Sequence, residues 1–165
     1  MRTTIVLVIA FLAAGAFAAS AAAEERICRG TIRAATVDNL KVPDGASCTL
    51  RRTRVKGTIK VGTGSRLVAN RVRVVGNVQA EGSRRVVVRR GSRVGGSIQV
   101  VDARRGGAVR GSRITGDVQF FENRGRIVIR RNRINGNLQC KENNPRPIGG
   151  RNRVGGNKED QCRRL

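Results

Sequence analysis

Six arginines recur at nearly constant spacing: Arg54, Arg73, Arg93, Arg113, Arg133 and Arg153. A guanidinium presents a rigid fork of donors that matches carboxylate and phosphate oxygens two at a time. A row of such forks at fixed pitch suits a linear polyanion, and these six residues are the candidate anion-binding residues. A second basic row is read at Arg51, Arg90, Arg110 and Arg130. The chain carries a formal charge of +23, which draws it to anionic partners of any kind. Two readings of the row stay open, a binding site or a compositional bias copied by a repeat.

Four cysteines, Cys28, Cys48, Cys140 and Cys162, supply the other chemistry. Two lie near each end. The pairing 28–48 with 140–162 is the one that does not bridge the length of the chain. An even count suits disulfides in an oxidising compartment. Zinc needs closely spaced thiolates and imidazoles, but the chain has no CxxC pair and no His. Neither metal nor cofactor is expected.

Catalytic equipment is sparse. With no His and no Tyr, acid–base work would fall to eleven carboxylates. Asp102 and Glu122 could meet one repeat apart, but any repeat would bring them together. No nucleophile elbow, phosphate loop or calcium loop is present. No catalytic residue is named.

The arginines sit in a repeat. Each lies three residues before a glycine, at 57, 76, 96, 116, 136 and 156, so the period is 19 and then 20 residues. Positions two before the glycine are Val55, Val74, Val94, Ile114, Ile134 and Val154. Two after stand Ile59, Val78, Ile98, Val118 and Leu138; four after stand Val61, Ala80, Val100, Phe120 and Cys140. A further apolar row, eight before, runs Val68, Val88, Ala108, Val128 and Ile148. The alternation and β-branching indicate half-buried strands. A strict period of this length marks a stacked repeat.

The expected fold is therefore all-β: a single-stranded parallel β-helix, or β-solenoid, of about six coils of ~20 residues, with strands ~4.8 Å apart. The six-residue spacing of three rows suits a left-handed helix. The longer period and the additional row two after the glycine favour a right-handed one. The glycine suits a corner, either for a positive φ or for crowding. Gln79, Gln99, Gln119 and Gln139 form an outward row whose amides can bond along the axis. Ser92, Ser112, Asn132 and Asn152 form a corner row.

Residues 1–23 read as a signal peptide: Met1-Arg2, an apolar run from Ile5 to Leu12, and small residues to Ala23. The run is shorter than the ~20 residues of a spanning helix. The exported protein is expected to be secreted or periplasmic. Residues 24–50 are expected to form an N-terminal capping coil in which Gly30-Thr31-Ile32 echoes the repeat. Residues 51–140 form the regular solenoid. Residues 141–165 form a C-terminal cap, with Lys158 and Asp160 in inward rows.

The run Val74-Val75-Gly76-Asn77-Val78-Gln79-Ala80 resembles the coils of bactofilins, bacterial right-handed β-helices that polymerise end to end. The resemblance covers about residues 50–140 and implies a β-helix that could assemble into fibres. Bactofilins lack signal peptides and disulfides, and their ends are open. The closing stretch, from Gly136-Asn137-Leu138-Gln139-Cys140-Lys141 through Gly156-Asn157-Lys158-Glu159-Asp160-Gln161-Cys162, resembles the ends of small exported bacterial parallel β-helix proteins.

The function expected from these residues is non-enzymatic binding of anionic polysaccharide or lipid surfaces, with nucleic acid bound only non-specifically. The alternatives are a self-assembling structural fibre and a polysaccharide lyase acting on acidic glycans.

Overall fold

Each repeat contributes three short strands, and each strand pairs with its counterpart one coil away. In a computed structural model, which describes residues 24–165, this yields three parallel sheets wound as a β-solenoid. The signal peptide expected over residues 1–23 lies outside the described residues. The first sheet has eight strands, from Glu25–Ile27 to Lys158–Asp160. The second runs in seven strands from Thr31–Arg33 to Ile148–Gly150. The third runs in seven from Thr36–Val37 to Arg153–Val154. Among the described residues there is no helix.

The interior is a column of aliphatic ladders. The rows two before, two after and four after the glycine are buried, as their alternation predicts, with Val154 of the last coil half-buried. They meet a third inward set from the second sheet: Leu67 and Ala69, Val86 and Val88, Val109, and Ile127 and Ile129. One aromatic ring, Phe120, lies wholly inside. The interior is narrow, which explains why aromatics make up only 2% of the chain.

The row expected eight before the glycine is corrected in two ways. The paired residues are Val68, Val87, Ala108, Val128 and Ile148, so Val87 and not Val88 belongs to it. Gly91 is the additional residue that shifts this coil, because it lengthens the corner between Arg90 and Ser92. The row also points away from the core, and four of its members form a separate apolar cluster on the outer face of the second sheet. Side-chain direction alternates only along a continuous strand. A left-handed residue at the intervening corner breaks the alternation, so positions six apart need not share a face.

The first coil also differs from expectation. The carbonyl of Gly30 accepts from the Thr49 N–H at 2.8 Å, so Gly30-Thr31-Ile32 stacks on Cys48-Thr49-Leu50 in the second sheet. Asp38 holds the place of the recurring glycine. Residues 24–50 thus contain one whole coil and two strands of the next, not a single long coil. The turn Pro43-Asp44-Gly45-Ala46 closes as its residues predict, with Gly45 at φ 67°.

Polar ladders secure the corners. Where the third sheet turns into the first, Asn77 Oδ1 accepts from the Ser97 N–H at 2.8 Å, and Ser97 Oγ accepts from the Asp117 N–H at 3.0 Å. Asp117 Oδ1 then accepts from Asn137 N–H at 2.7 Å. Two further ladders are buried. In one, Asn132 donates to the Val109 carbonyl at 2.8 Å and to Asn152 Oδ1 at 3.0 Å. In the other, Asn123 makes the equivalent bonds to Val100 O and Asn143. These side chains satisfy backbone groups that the corners remove from the sheets. The glutamine row bonds along the axis from Gln119 to Gln139 and from Gln139 to Glu159, both at 2.7 Å.

The recurring glycines have ordinary φ, so crowding decides their identity. A Cβ on Gly76 would lie 2.8 Å from the Gly57 carbonyl oxygen, and one on Gly116 would meet Ser97 Oγ. Both disulfides form as the spacing suggests, Cys28–Cys48 and Cys140–Cys162. They fit an oxidising, extracytoplasmic location. The C-terminal cap is more than a polar row: residues 161–165 turn across the end of the stack and bury Cys162 and Leu165 against the core.

Candidate functional site

The third sheet holds the arginine ladder by the simplest means available to a strand. Each of its strands from coil two onward is two residues long, one side chain in and one out. Val55, Val74, Val94, Ile114 and Ile134 are buried, so the preceding arginine must face solvent. The register pairs Arg54 with Arg73, Arg73 with Arg93, Arg93 with Arg113, Arg113 with Arg133, and Arg133 with Arg153. All six expected residues form one exposed column, and Thr36 ends it.

Two further columns run beside it around the corner between the second and third sheets. The nearer comprises Arg52, Arg71, Arg90, Arg131 and Arg151, interrupted by Gly111. All five arginines have φ between 51° and 61°. Left-handed backbone costs a side-chain-bearing residue about 1–2 kcal/mol, and glycine or asparagine would adopt it more cheaply. The sequence reading missed this column because nothing in an arginine announces a positive φ. The farther column is Arg51, Asn70, Arg89, Arg110 and Arg130. It corrects the expected second basic row: Arg89 takes the place assigned to Arg90, through the same insertion of Gly91. Asn70 Oδ1 accepts from Arg89 Nε at 2.6 Å.

No carboxylate answers this charge. Among the described residues the ion pairs are Lys56–Asp38 and Lys141–Glu142, and neither involves an arginine. Asp102, Glu122 and Glu142 stack instead at the corner between the first and second sheets, with φ of 49°, 58° and 56°. Asp102 and Glu122 do come one coil apart, on an exposed corner rather than in a cleft. Two adjacent unit charges at the strand spacing repel by about 0.9 kcal/mol in water before screening. The ladder therefore raises the energy of the free protein, and an anion lying along it lowers that energy.

The columns enclose shallow grooves. One, of about 480 Å³, lies among Arg93, Arg113, Arg131, Arg133, Arg151 and Arg153. Another, of about 370 Å³, lies among Arg51, Arg52, Arg71, Arg89 and Arg90. The Arg110 guanidinium is held below the ordinary arginine range, first by burial and then by repulsion from Arg130, Arg126, Arg85 and Arg89. Among the described residues, no three His, Cys, Asp or Glu side chains converge as a metal site would require.

Comparisons of the chain with protein-family models, with curated proteins and with solved structures find no match.

Proposed function

We propose that this is an exported, non-enzymatic β-solenoid that binds anionic envelope or extracellular polymers through the ladder Arg54, Arg73, Arg93, Arg113, Arg133 and Arg153. The observation that carries the reading is the column itself: six exposed guanidinium groups in register with no carboxylate partner. A polymer whose charges repeat along its length can meet successive forks without bending, because the sheet sets a constant pitch of ~4.8 Å. The left-handed arginines beside the ladder support the same reading. The corner holds them left-handed through backbone bonds to the next coil, such as Arg131 N–H to the Gly150 carbonyl at 3.0 Å, and Arg131 and Arg151 line one groove with the ladder arginines. Short corners and nearly identical coils leave no walled cleft, which favours binding over catalysis. Acidic polysaccharide and anionic lipid surfaces are the partners that an exported chain would meet.

The test is binding of the oxidised protein to acidic glycans and anionic lipids at low and at physiological salt. Replacing Arg93, Arg113 and Arg133 by Gln should weaken polyanion binding more than replacing Arg104, Arg105 and Arg124, which removes the same charge elsewhere. Equal losses, or binding that collapses with salt for every anion alike, would reduce the ladder to net charge.

A further inference from the structure

The first sheet presents an outer face unlike the other two. From Ile59–Val61 to Lys158–Asp160 its strands carry no arginine. Two outward rows cross this face. One is Lys60, Gln79, Gln99, Gln119, Gln139 and Glu159; the other is Glu81, Val101, Phe121 and Lys141. Each row reverses the sign of its charge along the axis. Lys60 and Glu81 stand towards one end, Glu159 and Lys141 towards the other. Among the described residues, Phe121 is the one aromatic side chain that reaches the surface, and it lies mid-face beside Val101.

A face of this kind is complementary to itself. Turn a second copy over about a two-fold axis that runs parallel to the strands, between Ile98–Val101 and Val118–Phe121. Strand order reverses, while position along the strand is kept. Lys60 then faces Glu159 of the second copy, Glu81 faces its Lys141, Val101 faces its Phe121, and glutamines face glutamines. The symmetry makes every contact twice. Moving the axis by half a strand spacing leaves either Glu81 facing Phe121 or Lys141 facing Val101, so one register is favoured. Shape agrees with charge. A groove of about 350 Å³ runs past Lys60, Gln79, Glu81 and Val101 on one half of the face. The larger Phe121 and Lys141 stand on the other half, and the same rotation lays them over the groove. Little within the chain answers these charges. Among the described residues Lys60 and Glu81 have no ion pair, Glu159 accepts from Gln139 through one carboxylate oxygen, and Lys141 reaches the exposed Glu142 at 3.5 Å.

We propose that this face joins two copies of the chain in an isologous dimer, sheet against sheet at ~10 Å. The arginine-rich second and third sheets repel another copy, so the first sheet is where two copies can meet. The face is up to four residues wide and six strands long, about 14 by 29 Å at strand dimensions. That is at the small end of specific interfaces, so the dimer is weak and reversible. Asp102 and Glu122 fall at the exposed rim, where water screens them. Both arginine ladders stay on the outside, so one dimer offers two of them to a polymer. The pairing does not depend on what the ladder binds.

Sedimentation equilibrium of the oxidised protein tests the dimer, at physiological salt where long-range repulsion between the arginine faces is screened. A monomer–dimer equilibrium that closes at two is expected. Glu81→Lys and Lys141→Glu each set like charges opposite one another at two places, and each should weaken the dimer about tenfold. Lys141→Glu should do so although it lowers the net charge. The double variant keeps the net charge and restores both pairs, so it should dimerise like the parent. Phe121→Ser should abolish the dimer. Glu81 and Lys141 are exposed, so their variants should fold, and unchanged unfolding midpoints check this. A monomer at every concentration up to the millimolar range, growth beyond two, or a double variant that fails to recover would overturn the proposal. A protein that stays monomeric and loses binding to anionic vesicles in Phe121→Ser would give the face to a membrane instead.

Discussion

The ring of Phe120 fills the space that Gly107 leaves empty on the facing sheet. A Cβ on Gly107 would stand 3.1 Å from Phe120 Cε1 and 2.6 Å from the Val86 carbonyl oxygen. The largest buried side chain thus sits opposite a residue with none, and the interior keeps its width through that coil.

Phe120→Ala should therefore cost about 3–5 kcal/mol, the usual loss for emptying a packed aromatic site, because Gly107 cannot close the gap. Equilibrium denaturation would measure it. A cost below about 1 kcal/mol would mean that the coil collapses around the cavity.

The glycines divide into two kinds. Gly91 has φ 76° with nothing within 4 Å of a Cβ, so Gly91→Ala should cost only the left-handed backbone, about 1–2 kcal/mol. Gly96 has ordinary φ, but a Cβ there would meet Asn77 Oδ1 and lie 3.0 Å from the Gly76 carbonyl oxygen. Gly96→Ala should cost more, because it also displaces the corner ladder. Thermal unfolding of the two variants would rank them, and the reverse order would refute the crowding account.

Arg131 opposes stability to binding. Arg131→Asn should raise stability by up to about 1 kcal/mol, since asparagine tolerates a positive φ better and one like charge is removed. The same change should lower polyanion affinity. Unfolding midpoints and binding isotherms on one preparation would show whether the two move in opposite directions. Loss of both would mean that Arg131 holds the corner rather than a ligand.

Reduction should loosen the ends before the middle. Cys28–Cys48 ties the first coil to the second, and Cys140–Cys162 ties the closing turn to the core. Disulfides closing loops of 20 and 22 residues each contribute about 2–4 kcal/mol. Hydrogen exchange after reduction should accelerate near residues 25–37 and 158–165 while residues 78–121 stay protected. Uniform acceleration would argue against terminal staples.

Much of the fold was legible in the chain because a solenoid is local in one direction: each coil meets its neighbours in sequence, so the repeat period is also the contact map. The inward rows around each glycine, the arginine ladder, the serine and asparagine corner row and the pairing of the cysteines all follow from period and alternation. Tertiary structure decided what periodicity cannot encode. An alignment on glycines hides Gly91, since one additional corner residue moves Val87 and Arg89 into places assigned to Val88 and Arg90. Alternation fails across a left-handed corner, so the row through Ala108 faces out and forms an apolar cluster of its own that no motif announces. Whether a glycine is kept for its φ or for its neighbours depends on a carbonyl one coil away. Leu165 closes the core only because the turn after Asp160 carries it over the end of the stack. In each case the deciding quantity is a direction in space, and a pattern of residue types carries direction only where the strand runs unbroken.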